Sequence, residues 1–128
     1  LYVCGVDYVG VSNLFTVVKS FPDYWKPYMA QFYAQWYDPD NSEEKKIMEE
    51  VSPALPADKI TKPVFVIQGA NDPRVNINES DQMVKTLRAN GKDAPYMVKY
   101  NEGHGFGHEE NQLELYGYMM GFFARYLK

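Results

Sequence analysis

The chain has 128 residues, the size of one small domain, and 45% of them are hydrophobic, enough to build a core. A net charge of -4 with no basic run excludes a nucleic-acid surface. No apolar run approaches the length of a membrane span, and a single cysteine, Cys4, excludes an internal disulfide.

Leu1-Tyr2-Val3-Cys4-Gly5-Val6 is mostly apolar and reads as a buried strand, with Cys4 as a buried thiol. Natural domains rarely begin inside a core strand. The opening at Leu1 rather than a methionine therefore predicts the C-terminal piece of something longer. For the same reason the lack of a signal peptide is uninformative, and the compartment stays unknown. Asp7 to Asn13 reads as a loop at that strand's end, with Ser12-Asn13 placed to cap a short helix over Leu14–Lys19. Phe21-Pro22-Asp23 ends that helix.

The aromatic content, 16% with 11 Tyr and 7 Phe, concentrates in Tyr24–Tyr37. There Tyr28, Phe32 and Trp36 recur every four residues, the spacing of one helical face. A charged helix follows Ser42, which is the expected N-cap, with acids in its first turn. Its charges read as a solvated face.

Val64-Phe65-Val66-Ile67 is an unbroken apolar run. Strands covered by helices on both faces look like this, as in a parallel sheet. After Asp72-Pro73-Arg74 comes a helix ending near Asn90, with Met83, Val84 and Leu87 as its apolar stripe and Asn90-Gly91 as its stop. Pro95–Tyr100 is a third strand. The last helix, Glu109 to Leu127, carries Leu113, Tyr116, Met120, Phe123 and Leu127 on one side. The alternation of strands and helices predicts an α/β fold with right-handed crossovers and a three-stranded parallel sheet flanked by helices.

In open α/β sheets, chemistry sits beyond the carboxyl ends of the strands. Asp72 follows the second strand and His104 follows the third. If the strands are neighbours, both side chains reach the same sheet edge. An aspartate that accepts a histidine ring N–H fixes the tautomer and leaves the second nitrogen as a base. Glycines at 103, 105 and 107 let the histidine loop bend tightly. His104 and His108 stand four apart with Glu109 and Glu110 behind them, as in a zinc helix, but those glycines oppose a continuous helix. No metal and no cofactor are expected.

Gln68-Gly69-Ala70-Asn71-Asp72-Pro73-Arg74-Val75, Glu79-Ser80-Asp81-Gln82-Met83-Val84 and Glu102-Gly103-His104-Gly105-Phe106 resemble the C-terminal catalytic domain of the prolyl oligopeptidase family of serine peptidases. The nearest pattern is that of its bacterial acylaminoacyl-peptidase-like members. Asp7–Asn13 resembles the family's loop after the strand preceding the acid strand. The resemblance covers essentially the whole chain and implies a partial α/β-hydrolase fold. By it, Asp72 is the triad acid, His104 the triad base and Arg74 a contact to a substrate carbonyl. Phe32 and Trp36 fall where dipeptidyl peptidase relatives place tyrosines lining the pocket for the residue before the scissile bond.

The family's nucleophile lies in a Gly-x-Ser-x-Gly elbow, and no such stretch exists among these residues. The elbow, with the N-terminal half of the fold, is expected upstream. Residues 1–128 are then the C-terminal fragment of a peptidase catalytic domain that is inactive alone. Two alternatives are a non-catalytic binding module from a decayed hydrolase and an esterase or dienelactone-hydrolase-like enzyme. The implied partners are a peptide substrate and the N-terminal remainder of the protein, with no nucleic acid and no membrane. Strand Leu1–Val6, left without the nucleophile strand, is an edge expected to drive self-association.

Overall fold

The computed structural model describes residues 2–128. Strands β1 (Gly5–Tyr8), β2 (Val64–Gly69) and β3 (Tyr96–Lys99) form one parallel sheet in the order β1-β2-β3. Helices α1 (Leu14–Lys19), α2 (Met29–Gln35) and α3 (Ser42–Val51) lie between β1 and β2; α4 (Ile77–Ala89) links β2 to β3, and α5 (Glu109–Tyr126) follows β3.

β2 explains the architecture. Its alternate side chains enter different cores, because successive residues of a strand point to opposite faces. Val66, with Val64 at its edge, packs with Met83, Val84 and Leu87 of α4 and with Ala54 and Ala94. Phe65 and Ile67 pack on the other face with Met97, Phe106 and with Leu115 and Phe122 of α5. The Phe65 and Phe122 rings lie 5.7 Å apart. Val66, Ile67 and Leu87 are all fully buried, and each such side chain contributes about 1.5–3 kcal/mol. A strand covered on both sides has no polar face, hence the unbroken apolar run.

Several local expectations are corrected. The first strand is Gly5–Tyr8, not Leu1–Val6; Leu1 lies outside the described residues, and Tyr2 and Val3 are exposed. Asp7 and Tyr8 belong to the strand because they pair with Val66 and Ile67. Cys4 is half-buried rather than buried. Asn41, not Ser42, caps α3, its side chain accepting the N–H groups of Glu43 at 3.0 Å and Glu44 at 3.3 Å. The aromatic segment is not one helix: Asp23–Tyr28 is a 3-10 helix containing Pro27, and α2 starts only at Met29. Proline has no N–H for an α-helical ladder, which accounts for the break.

The largest correction concerns α5. Leu113, Tyr116, Met120 and Leu127 are exposed, and Phe123 is half-buried. The buried face carries Leu115 and Phe122, with Met119 and Tyr126 packed beside them. From Leu113 to Phe123 the only charged residue of this helix is Glu114, so 3.6-residue periodicity fits more than one apolar stripe and does not choose between them. Among the described residues no helix is long and apolar enough to cross a membrane.

The turn after β1 is held from below. Glu79 of α4, buried at 1% exposure, accepts the N–H groups of Ser12 at 3.1 Å and Asn13 at 2.8 Å. The Ser12 hydroxyl is itself buried and donates to the Glu79 carbonyl at 2.6 Å. Asn13 caps α1 as expected.

Candidate active site

β2 ends in Gln68-Gly69, and Gln68 is the polar exception in its apolar run. Its fully buried amide donates to the Val75 carbonyl at 3.0 Å and to Asp72 Oδ2 at 3.2 Å, while Ser80 donates to its oxygen at 2.9 Å. The loop that follows closes on the Asp72 carboxylate. Asp72 Oδ1 accepts the N–H groups of Arg74 at 2.8 Å and Val75 at 2.9 Å. An aspartate that binds backbone two and three residues on makes a tight local turn.

Asp72 Oδ2 lies 2.8 Å from His104 Nδ1. The Asp72 side chain has no exposure and the His104 side chain is 31% exposed. A carboxylate offers only acceptors, so Nδ1 carries the proton and donates it. Nε2 is thereby left as the unprotonated nitrogen of the neutral ring.

The His104 loop is bound to this edge at several points. Asn71 N–H donates to the Glu102 carbonyl at 2.9 Å, and the Asn71 amide donates to the Tyr100 carbonyl at 2.6 Å. Gly105 has φ +100°, a conformation that L side chains rarely adopt, so glycine is required there. The Phe106 N–H donates to the Tyr8 hydroxyl from β1, and the two rings meet edge-on at 5.4 Å. Glu102 sits under the loop's far end. Burial works to raise its carboxyl pKa. Hydrogen bonds from Asn111, from the N–H groups of Gly107 and His108 and from the His108 ring outweigh burial and hold the pKa at about 2.

The structure thus brings Asp72 and His104 into contact. Arg74 is joined to Asp72 through its backbone; its side chain is exposed and enters no ion pair among the described residues. Phe32 and Trp36 meet each other at 5.7 Å within a cluster that includes Phe21 and Trp25. Phe32 also lines a groove of about 460 Å³ with Tyr24, Trp25, Tyr28, Gln31 and Gln35. No hydrogen bond or ring contact among the described residues joins that cluster to Asp72 or His104. The two histidines face different carboxylates, His104 toward Asp72 and His108 toward Glu102.

Sequence reasoning missed the roles of Gln68, Tyr8 and Glu102. For Gln68 a signal existed, since it is the one polar side chain in a buried strand. Tyr8 touches a residue 98 positions away, and no local pattern carries such a contact.

Comparison with known proteins gives a consistent result. The prolyl oligopeptidase family profile matches residues 1–128. Dipeptidyl aminopeptidase BIII of Pseudoxanthomonas mexicana is 42% identical over 126 residues, 98% of this chain and 18% of that protein. Dipeptidyl peptidase family member 6 of Caenorhabditis elegans is 37% identical over 127 residues, 98% of this chain and 17% of that protein. The chain therefore spans less than a fifth of the length of these curated relatives. Among solved structures, the Pyrococcus horikoshii acylaminoacyl peptidase superposes with a TM-score of 0.78 at 24% identity, over 99% of this chain and 20% of that one. That is a likeness of fold. A Mycobacterium tuberculosis puromycin-hydrolysing peptidase gives a TM-score of 0.67 at 27% identity, over 82% of this chain and 16% of that one. The chain belongs to the prolyl oligopeptidase family, a family of peptidases, and its three parallel strands and flanking helices are part of an α/β-hydrolase fold.

Proposed function

We propose that residues 1–128 are the C-terminal part of a serine peptidase catalytic domain, with Asp72 as the triad acid and His104 as the base. The observation that carries this reading is the 2.8 Å contact between the fully buried Asp72 carboxylate and the partly exposed His104 ring. Asp72 holds the Nδ1–H tautomer and stabilises the imidazolium. Nε2 takes the proton of a serine hydroxyl as it attacks the peptide carbonyl and returns it to the leaving amine. Arg74 contacts a substrate carbonyl, and its exposed guanidinium, in no ion pair among the described residues, is compatible with that role. Phe32 and Trp36 line the pocket for the residue before the scissile bond. The aromatic groove that Phe32 lines, with the Trp36 ring against Phe32, supports this reading.

The serine comes from the N-terminal remainder of the protein, since no Gly-x-Ser-x-Gly occurs here. The names of the two curated relatives favour a dipeptidyl peptidase over an acylaminoacyl peptidase. The test uses the full-length protein and the isolated chain side by side. The full-length protein is expected to react with a fluorophosphonate probe and to cleave dipeptidyl substrates. Asp72→Asn is expected to lower its kcat by roughly 10⁴-fold and His104→Ala by roughly 10⁶-fold. The isolated chain is expected to resist the probe; labelling of the isolated chain overturns the claim that the serine lies elsewhere.

A further inference from the structure

Glu102 precedes the loop that carries His104, and its side chain reaches across to the residues that follow that loop. Oε2 accepts the Gly107 N–H at 2.8 Å. Oε1 accepts the His108 N–H at 2.9 Å and the Asn111 amide at 2.7 Å, and lies 2.9 Å from His108 Nδ1. The residue is 4% exposed, so a buried charge is satisfied by groups on the far side of the loop. Its backbone carbonyl faces the other way and accepts the N–H of Asn71, the neighbour of Asp72. One residue therefore joins three things: the Asp72 loop, the end of β3 and the start of α5. The side chain of His108, which caps α5, makes no capping bond. Glu102 instead accepts the N–H of the cap residue His108 itself and the side-chain amide of Asn111 in the first turn of α5.

His104 itself stands between Gly103 and Gly105, residues whose backbone preference does little to aim a ring. Its direction depends on where the loop's ends are held. We propose that Glu102 is a positioning residue for His104: its carboxylate clamps the two ends of the histidine loop together and so sets the ring against Asp72. This deepens the reading of His104 as the base and rests on it. Glu102 works through the loop and takes no part in the chemistry itself.

The test compares the full-length protein with its Glu102→Gln variant. Glutamine keeps the shape but replaces one oxygen with an N–H₂ group, so a donor faces donors whichever way the amide turns. Misplacing the ring is expected to lower kcat by about tenfold or more while KM stays within about twofold. The low-field proton signal of His104 Nδ1–H, held by Asp72, is expected to be lost. Unchanged kcat with an unchanged low-field signal overturns the proposal, whatever happens to the unfolding temperature, because a purely structural carboxylate would alter stability alone. Should Glu102→Gln fail to fold, Asn111→Ala removes one donor and is expected to weaken the same signal; an intact signal there also overturns the proposal. If the wild-type protein shows no peptidase activity, the peptidase reading fails and the signal alone decides. Its loss in Glu102→Gln supports positioning by Glu102, and its persistence overturns it.

Discussion

Gly69 is where the end of β2 and the histidine loop come closest. A Cβ added there would lie 2.1 Å from the Gly103 carbonyl oxygen and 2.7 Å from that of Glu102. Both are backbone atoms, so no side chain can swing aside. Gly69→Ala is expected to cost about 1–3 kcal/mol in urea unfolding, the range for overpacking a buried site. It is also expected to push the loop of His104 away from Asp72, although alanine is the smallest addition possible. A cost below about 0.5 kcal/mol, the scatter of surface substitutions, would show that the two backbones part easily. Glu102 gives a second expectation at this scale, from its carboxyl pKa of about 2 against an ordinary value of 4.5. A depressed pKa means that the folded state prefers the charged form, so the extra stability is present above pH 4.5. It is lost as pH falls through about 2. The stability gap between wild type and Glu102→Gln should therefore be widest near neutrality and narrow steadily below pH 4.5. A gap independent of pH would mean that the carboxylate's charge is not what its four donors recognise.

Helix α5 separates what periodicity can say from what it cannot. Leu115 is 2% exposed and Leu113 is 65% exposed, two residues apart on the same helix. Leu115→Ala opens a cavity between α5 and the sheet and is expected to cost about 2–5 kcal/mol. Leu113→Ala gives up little burial and is expected to stay within about 0.5 kcal/mol. Equal losses would mean that α5 docks by a different face from the one described. The sequence pattern pointed to Leu113, because Leu113, Tyr116 and Met120 make as good a stripe as Leu115, Phe122 and Tyr126. Only the partner surface, Phe65, Ile67 and Met97 of the sheet, selects between them. β2 was legible for the opposite reason: burial on both faces left a signature with no rival at that length. Asp72 and His104 were legible as a pair because topology alone carries both to one edge once the strands are neighbours. Their supports were not. Gln68, Tyr8 and Glu102 act through contacts that cross between elements, and nothing in the residues flanking them announces the partner.

The whole molecule has one more property that follows from its sheet. Among the described residues β1 has a neighbour on one side only, β2. The N–H groups of Gly5 and Val9 donate inward, to Pro63 and Ile67 at 2.9 Å each. Parallel pairing sends alternate N–H groups to alternate sides, so those of Val6 and Tyr8 point outward. An open edge with unpaired donors is a template for another strand. In the full-length protein we assign that place to the N-terminal remainder. In the isolated chain, self-association is expected to fill it, through Gly5–Tyr8 rather than the Leu1–Val6 segment that the sequence suggested. Light scattering should show a mass that rises with concentration, and unfolding measurements should be compared at one fixed concentration for that reason. Hydrogen exchange can locate the contact. The Gly5 and Val9 amides should be protected at every concentration, because β2 holds them. The Val6 and Tyr8 amides should exchange freely on dilution and become protected on assembly. A monomer at high concentration would remove the prediction altogether. An assembly in which the Val6 and Tyr8 amides still exchange freely would place the contact elsewhere and leave the edge of β1 uncovered.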